Sequence, residues 1–95
     1  MDIRHLKHRL QDHLKKVYNI TFEDYEAKLV EQDFRCAICG THISEVPKPL
    51  YVDHSHVTGK VRGLLCNKCN SGLGLFKDNI YVLKSATRYL EKYKY

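Results

Sequence analysis

No stretch of this sequence approaches the roughly 18 consecutive apolar residues that a membrane-spanning helix needs. It also lacks a charged-then-apolar leader with a small-residue cleavage site, which points away from an oxidising compartment. Internal repeats, low-complexity tracts and an interdomain linker are missing as well. At 95 residues there is room for one domain, and a domain this short buries a smaller share of its surface than a longer one can. The expectation is a soluble, cytoplasmic, single-domain protein over residues 1–95 that needs a staple in addition to its apolar core.

The staple is supplied by four cysteines, arranged as Cys36-Ala-Ile-Cys39 and Cys66-Asn-Lys-Cys69. Thiols two residues apart are spaced to chelate one metal ion from a tight turn, and a quartet of them is suited to zinc. A disulfide framework is the alternative, disfavoured by the missing leader. Charge is the second asset. Lys and Arg number 16 against 11 for Asp and Glu, a formal net charge of +5. From residue 60 onward, Lys60, Arg62, Lys68, Lys77, Lys84, Arg88, Lys92 and Lys94 face only Asp78 and Glu91, a net of +6. A nucleic-acid partner, whose phosphates such residues neutralise with release of counterions, explains that end as well as a merely solvated basic face does.

Periodicity gives the elements. Ile3, Leu6, Leu10, Leu14 and Val17 fall at helical spacing among basic residues, predicting an amphipathic arm over residues 1–20. Its apolar stripe needs a partner, either the domain itself or a second copy of the chain, and a homodimer through this helix is one of the two readings. Thr21 is a good N-cap for a helix running to about Gln32 through Phe22, Tyr25, Leu29 and Val30. Gly40 to Pro49 reads as a loop, and Leu50–His56 and Lys60–Leu65 as a β-hairpin turning at Val57-Thr58-Gly59. Ser71–Phe76 predicts a short helix beginning from Cys69 or Asn70. A last helix from Asn79 is expected to bury Ile80, Leu83, Ala86 and Leu90 while presenting Lys84, Arg88 and Lys92.

Between the cysteine pairs lies Asp53-His54-Ser55-His56, and Asn70 directly follows Cys69. A carboxylate and an amide oxygen are hard ligands suited to Mg²⁺ or Mn²⁺, and imidazole is the natural base near neutral pH. One ion tying the four cysteines together would draw the Asp53 strand and the Asn70 segment into one unit. Surface Asp-His runs also arise by chance, and two histidines two apart could themselves bind zinc. Strict strand alternation places His54 and His56 on one face and Asp53 on the other, so a shared site requires a bend or strand end near Asp53.

The full order is Cys-x-x-Cys, Asp-His-x-His, a glycine turn, Val-Arg-Gly-Leu-Leu-Cys, Cys-Asn and Leu-Gly-Leu-Phe-Lys-Asp-Asn. Over residues 20–92 it resembles the recombination endonuclease VII family, within the HNH or ββα-metal nucleases. The resemblance implies an α+β fold: a zinc-stapled ββα core over residues 21–95 with flanking N- and C-terminal helices, zinc on Cys36, Cys39, Cys66 and Cys69, and phage or bacterial origin. It further implies that Asp53 and Asn70 hold a catalytic Mg²⁺ or Mn²⁺, that His54 is the general base of a DNA endonuclease, and that His56 is the second family histidine. Lys60, Arg62 and Lys68 are expected phosphate contacts. Ser55 stands where family members more often carry Asp, and the last helix is shorter than the C-terminal extension of junction-resolving members. The rival expectation from another class is a non-catalytic zinc module that binds nucleic acid, and a third is a structural zinc ribbon that docks on a protein.

Overall fold

The structure, a computed structural model, describes residues 10–94. Leu10 to His13 are helical and lead into a five-residue π-helical turn, Leu14–Tyr18. Helix α1 spans Phe22–Glu31, a 3₁₀ turn spans Ile43–Glu45, strands β1 and β2 span Tyr51–His54 and Val61–Leu65, and helices α2 and α3 span Asn67–Leu75 and Ile80–Tyr93. The β1–β2 hairpin followed by α2 forms the centre, with α1 packed against β2.

Local chemistry explains each start and stop. Thr21 and Asp24 form a reciprocal capping box: the Asp24 N–H donates to Thr21 Oγ1 at 3.1 Å, and the Thr21 N–H to Asp24 Oδ2 at 2.9 Å. These bonds, the Thr21 backbone bond foremost, hold the Asp24 carboxyl below its ordinary range. Phe22, Tyr25 and Leu29, spaced three and four apart, turn inward, while Val30 remains 59% exposed on the outer face. They meet Leu50, Val52, Leu64 and Leu65 of the hairpin and Leu14 of the arm. The Tyr25 hydroxyl, inside this core, donates to Leu50 O at 2.8 Å. Leu14 is 1% exposed and Leu10 packs against the same core, so these two residues of the arm's stripe are covered by the domain itself. Val17 is 57% exposed, and Ile3 and Leu6 lie outside the described residues.

The hairpin strands are shorter than their sequence pattern predicts, for two physical reasons. Pairing runs Tyr51 to Leu65, Val52 to Leu64 and Asp53 to Gly63, then jumps to His54 opposite Val61, leaving Arg62 as an extra residue in β2. Beyond it Ser55 organises the connection: its Oγ accepts from the N–H groups of Val57 and Thr58, both at 3.1 Å, and its carbonyl accepts from Gly59 at 2.8 Å. An aspartate could fill the same acceptor role, so serine at this place is a conservative departure from the family pattern. Gly59, at φ +77°, closes the turn.

Helix α2 starts earlier than expected. Cys66, extended at the strand end, is its N-cap, which places both Cys69 and Asn70 in the first turn. Asn79 caps α3 as predicted, its Oδ1 accepting from the Val82 N–H at 3.0 Å. The expected burial along α3 does not occur. Ile80 is 62% and Leu90 47% exposed, Leu83 and Ala86 are only half-buried, and no residue of the helix is buried. Amphipathic spacing marks a face that can pack, and among the described residues no element covers this one.

The outer edge of β2 is closed by a side chain. The Gln32 amide, just past α1, accepts from the Leu64 N–H at 2.9 Å and donates to Leu64 O at 3.0 Å and Arg35 O at 2.8 Å. It thereby satisfies the buried Leu64 N–H. Gly63 makes room for it, since a Cβ there would lie 3.1 Å from Gln32 Oε1. Gln32→Ala is expected to lower the unfolding free energy by about 1–3 kcal/mol in urea titration. Gly63→Ala should destabilise the parent chain but cost little in the Gln32→Ala background, a coupling that a double-mutant cycle measures directly.

Candidate active site

The two cysteine pairs are brought together by elements far apart in sequence. Cys36 follows the isolated bridge between Arg35 and His42, and the Cys36-to-Gly40 turn closes with the Gly40 N–H on Cys36 O at 3.0 Å, Gly40 lying at φ +76°. The Ala37 N–H then bonds to Leu64 O at 3.1 Å, fastening this turn to β2 just before Cys66. All four sulfurs lie within 4.8 Å of one another, and Cys39 Sγ is 3.7 Å from Cys66 Sγ. Tetrahedral zinc with Zn–S bonds of about 2.3 Å sets sulfurs about 3.8 Å apart. A disulfide needs about 2.05 Å, and all four cysteines are free.

The electrostatics of the quartet also fit a cation. Hydrogen bonding to Thr41, side chain first, brings the Cys39 thiol down to about 6. Burial opposes ionisation of Cys36, but N–H groups aimed at its sulfur, led by that of Cys66 at 3.4 Å, outweigh the burial and hold it low. Cys69 is pushed up to about 12 by burial and by the three sulfurs around it. Thiolates gathered this closely repel one another, and a divalent cation bound among them would relieve that repulsion.

The second constellation lies where the hairpin meets α2. A cleft of about 280 Å³ is lined by Asp53, His54, His56 and Asn70, together with Tyr18 and Asp78. The ladder slips between Asp53 and His54, next to this cleft. Such a bulge interrupts regular pairing and can re-aim side chains beside it. The His54 ring lies 5.8 Å from that of Tyr18 and 5.0 Å from that of His56, centroid to centroid. Asn70 arrives from the first turn of α2.

Arg62, the extra residue of the bulge, turns its guanidinium onto carboxylates. Its Nε and Nη2 fork onto Asp53 at 2.6 and 2.9 Å, and Nη2 also reaches Asp78 at 3.2 Å. Asp53, foremost by hydrogen bonding, keeps the guanidinium even more firmly protonated than usual. Each Asp53 oxygen retains a lone pair, so the carboxylate can still serve a cation alongside the Asn70 amide. Lys60 and Lys68 are exposed and do not line the cleft. Sequence reasoning missed Tyr18 and Asp78. Asp78 did stand inside the Leu-Gly-Leu-Phe-Lys-Asp-Asn run, whereas nothing near Tyr18 signals its place.

Residues 11–92 match the sequence profile of recombination endonuclease VII. The chain belongs to that family. Two relatives of this endonuclease VII homologue are the Gene 59 proteins of Mycobacterium phages D29 and L5. The first is 47% identical over 76 residues, 79% of this chain and 46% of the phage protein. The second is 45% identical over 74 residues, 77% and 44% of the two chains. The chain thus spans less than half the length of either. A solved relative, the ββα-metal type II restriction endonuclease Hpy99I, superposes with a TM-score of 0.56 and 38% identity over 70% of this chain and 41% of that one. The α+β fold expected from the sequence is therefore the ββα-metal nuclease fold, with four thiols positioned to bind zinc.

The protein is expected to carry one zinc equivalent. Strong chelation, or Cys66→Ser, should abolish its cooperative thermal transition in circular dichroism, because so short a chain has little core to fall back on. A metal-free protein that melts like the loaded one would show that the thiols are no staple.

Proposed function

We propose that this chain is the catalytic part of an HNH-type, metal-dependent DNA endonuclease that hydrolyses phosphodiesters to 5′-phosphate and 3′-hydroxyl ends. The observation that carries this reading is that Asp53, His54 and Asn70 line one cleft, beside a slip in the strand ladder. Asp53 and Asn70, hard oxygen donors, are the residues that would hold Mg²⁺ or Mn²⁺ there, and such an ion supplies Lewis-acid charge at the scissile phosphate. Cys36, Cys39, Cys66 and Cys69 hold zinc as a structural element.

His54 acts as the general base: its neutral imidazole removes a proton from the attacking water as the oxygen approaches phosphorus in line with the leaving 3′ oxygen. Tyr18 packs beside the ring and limits its rotation. His56, its Nε2 3.4 Å from Asp78 Oδ2, stands at the outer lip of the cleft with a side chain 71% exposed, a position suited to meeting substrate phosphate. Lys60 and Lys68 lie outside the cleft as phosphate contacts that position DNA without reading its sequence. Arg62, turned inward, serves the site before it serves DNA.

Plasmid nicking should depend on Mg²⁺ or Mn²⁺ and stop with EDTA. His54→Ala is expected to lower the rate by about 10²- to 10⁴-fold, leaving zinc content and DNA affinity intact and gaining nothing from added metal. Asp53→Ala should regain part of its activity as metal is raised. A folded, zinc-loaded His54→Ala that nicks at the parent rate would remove the histidine from the mechanism. Duplex affinity should fall with a clear negative log-log slope as salt rises, whereas a flat slope would mark the basic C-terminal third as solvated surface only.

A further inference from the structure

Asp78 has no role in the chemistry just described, yet the site converges on it. It lies in the turn between α2 and α3, its side chain 21% exposed. One oxygen, Oδ2, accepts from Arg62 Nη2 at 3.2 Å and faces His56 Nε2 at 3.4 Å. The guanidinium it holds is the same one that forks onto Asp53. A chain of contacts therefore runs from the turn through Arg62 to Asp53, and separately from the turn to His56.

A turn of the backbone places this carboxylate. Lys77 and Asp78 both adopt φ +55°, the left-handed region that side chains disfavour, and the Asp78 N–H is tied back to Leu73 O at 2.9 Å. Asp33 and Phe34, past the end of α1, adopt the same conformation, so the backbone here is that of an ordinary helix-end turn, and it is the side-chain contacts of Asp78 that single it out.

Charge gives the arrangement a purpose. A guanidinium paired with Asp53 alone would make a neutral couple, and a cation would have to compete with Arg62 for that carboxylate. With Asp78 sharing the guanidinium, the trio carries a net negative charge, and Asp53 is fixed in orientation without being fully neutralised. We propose that Asp78 is a positioning residue for the Mg²⁺ or Mn²⁺ site: acting through Arg62 it keeps Asp53 aligned and available to the cation, and through its contact with His56 it sets the lip of the cleft. The inference rests on the reading of Asp53 and Asn70 as cation ligands. Groups that hydrogen-bond behind a metal ligand typically change metal affinity or activity by about 10- to 100-fold when removed.

The test is Mn²⁺ binding to the zinc-loaded chain, read from the electron paramagnetic resonance signal of free Mn²⁺, with plasmid nicking measured in parallel. Asp78→Ala and Asp78→Asn should weaken Mn²⁺ binding by about 10- to 100-fold. The Mn²⁺ dependence of nicking should shift by the same factor, the rate at saturating Mn²⁺ should change much less, and Asp78→Glu should recover part of the affinity. Zinc content and the thermal transition should be unchanged, and if Asp78→Ala melts early the near-isosteric Asp78→Asn decides. Asp53→Ala, expected to weaken Mn²⁺ binding more than either Asp78 variant does, separates the two levels of the argument. If it does so while both Asp78 variants bind and nick as the parent does, the positioning role is wrong and the site stands. If Asp53→Ala binds Mn²⁺ like the parent, the site reading falls and the positioning role with it.

Discussion

Four sulfurs within 4.8 Å of one another are the constraint on which the rest of the molecule depends. Cys36 and Cys66 stand 30 residues apart, and the segment between them contains the whole of β1 and β2. Joining the pairs closes that loop at a point where a short chain has little apolar surface to spend on closing it. The same junction places the first turn of α2 directly after β2, so Cys69 and Asn70, adjacent in sequence, belong to two different sites. One element of architecture thus serves both stability and chemistry, and backbone bonds such as Ala37 N–H to Leu64 O transmit the position of one to the other.

Around this junction the protein assembles opposite charges where its overall balance is basic. Asp53 and Asp78 are drawn in at 14% and 21% side-chain exposure and share a single guanidinium. A surface with a net charge of +5 attracts a polyanion, but a cleft of the same sign would repel a metal cation. Arg62, bonded to both, lets these two carboxylates lie close together within a chain whose net charge is positive.

Much of this was legible in the residues. The cysteine spacing, the capping box at Thr21 and the alternating hairpin are local signals, because partners a few residues apart are fixed by helix and strand geometry. The ββα order and the roles of Asp53, His54, His56 and Asn70 came instead from the resemblance to the endonuclease VII family, and the structure gathers these residues in one cleft. What could not be read depends on partners distant in the chain. The early start of α2 was hard to read because Gly72 and Gly74 weaken the helical pattern of its second half and its first turn reads as a metal-binding Cys-x-x-Cys. The apolar spacing of α3 indicates a face but not whether anything covers it, hence the error over Ile80 and Leu90. The Arg62–Asp78 contact joins residues 16 positions apart across a bulge, and Tyr18 meets His54 from a separate helix. Neither leaves a periodic trace.

The bulge at Arg62 sets fold and chemistry at odds within a single ladder. A regular hairpin maximises cross-strand bonding, whereas the extra residue here interrupts the ladder and hands its guanidinium to Asp53 on the facing strand. The two strands are thereby latched by a side chain at the very point where their backbones fall out of step.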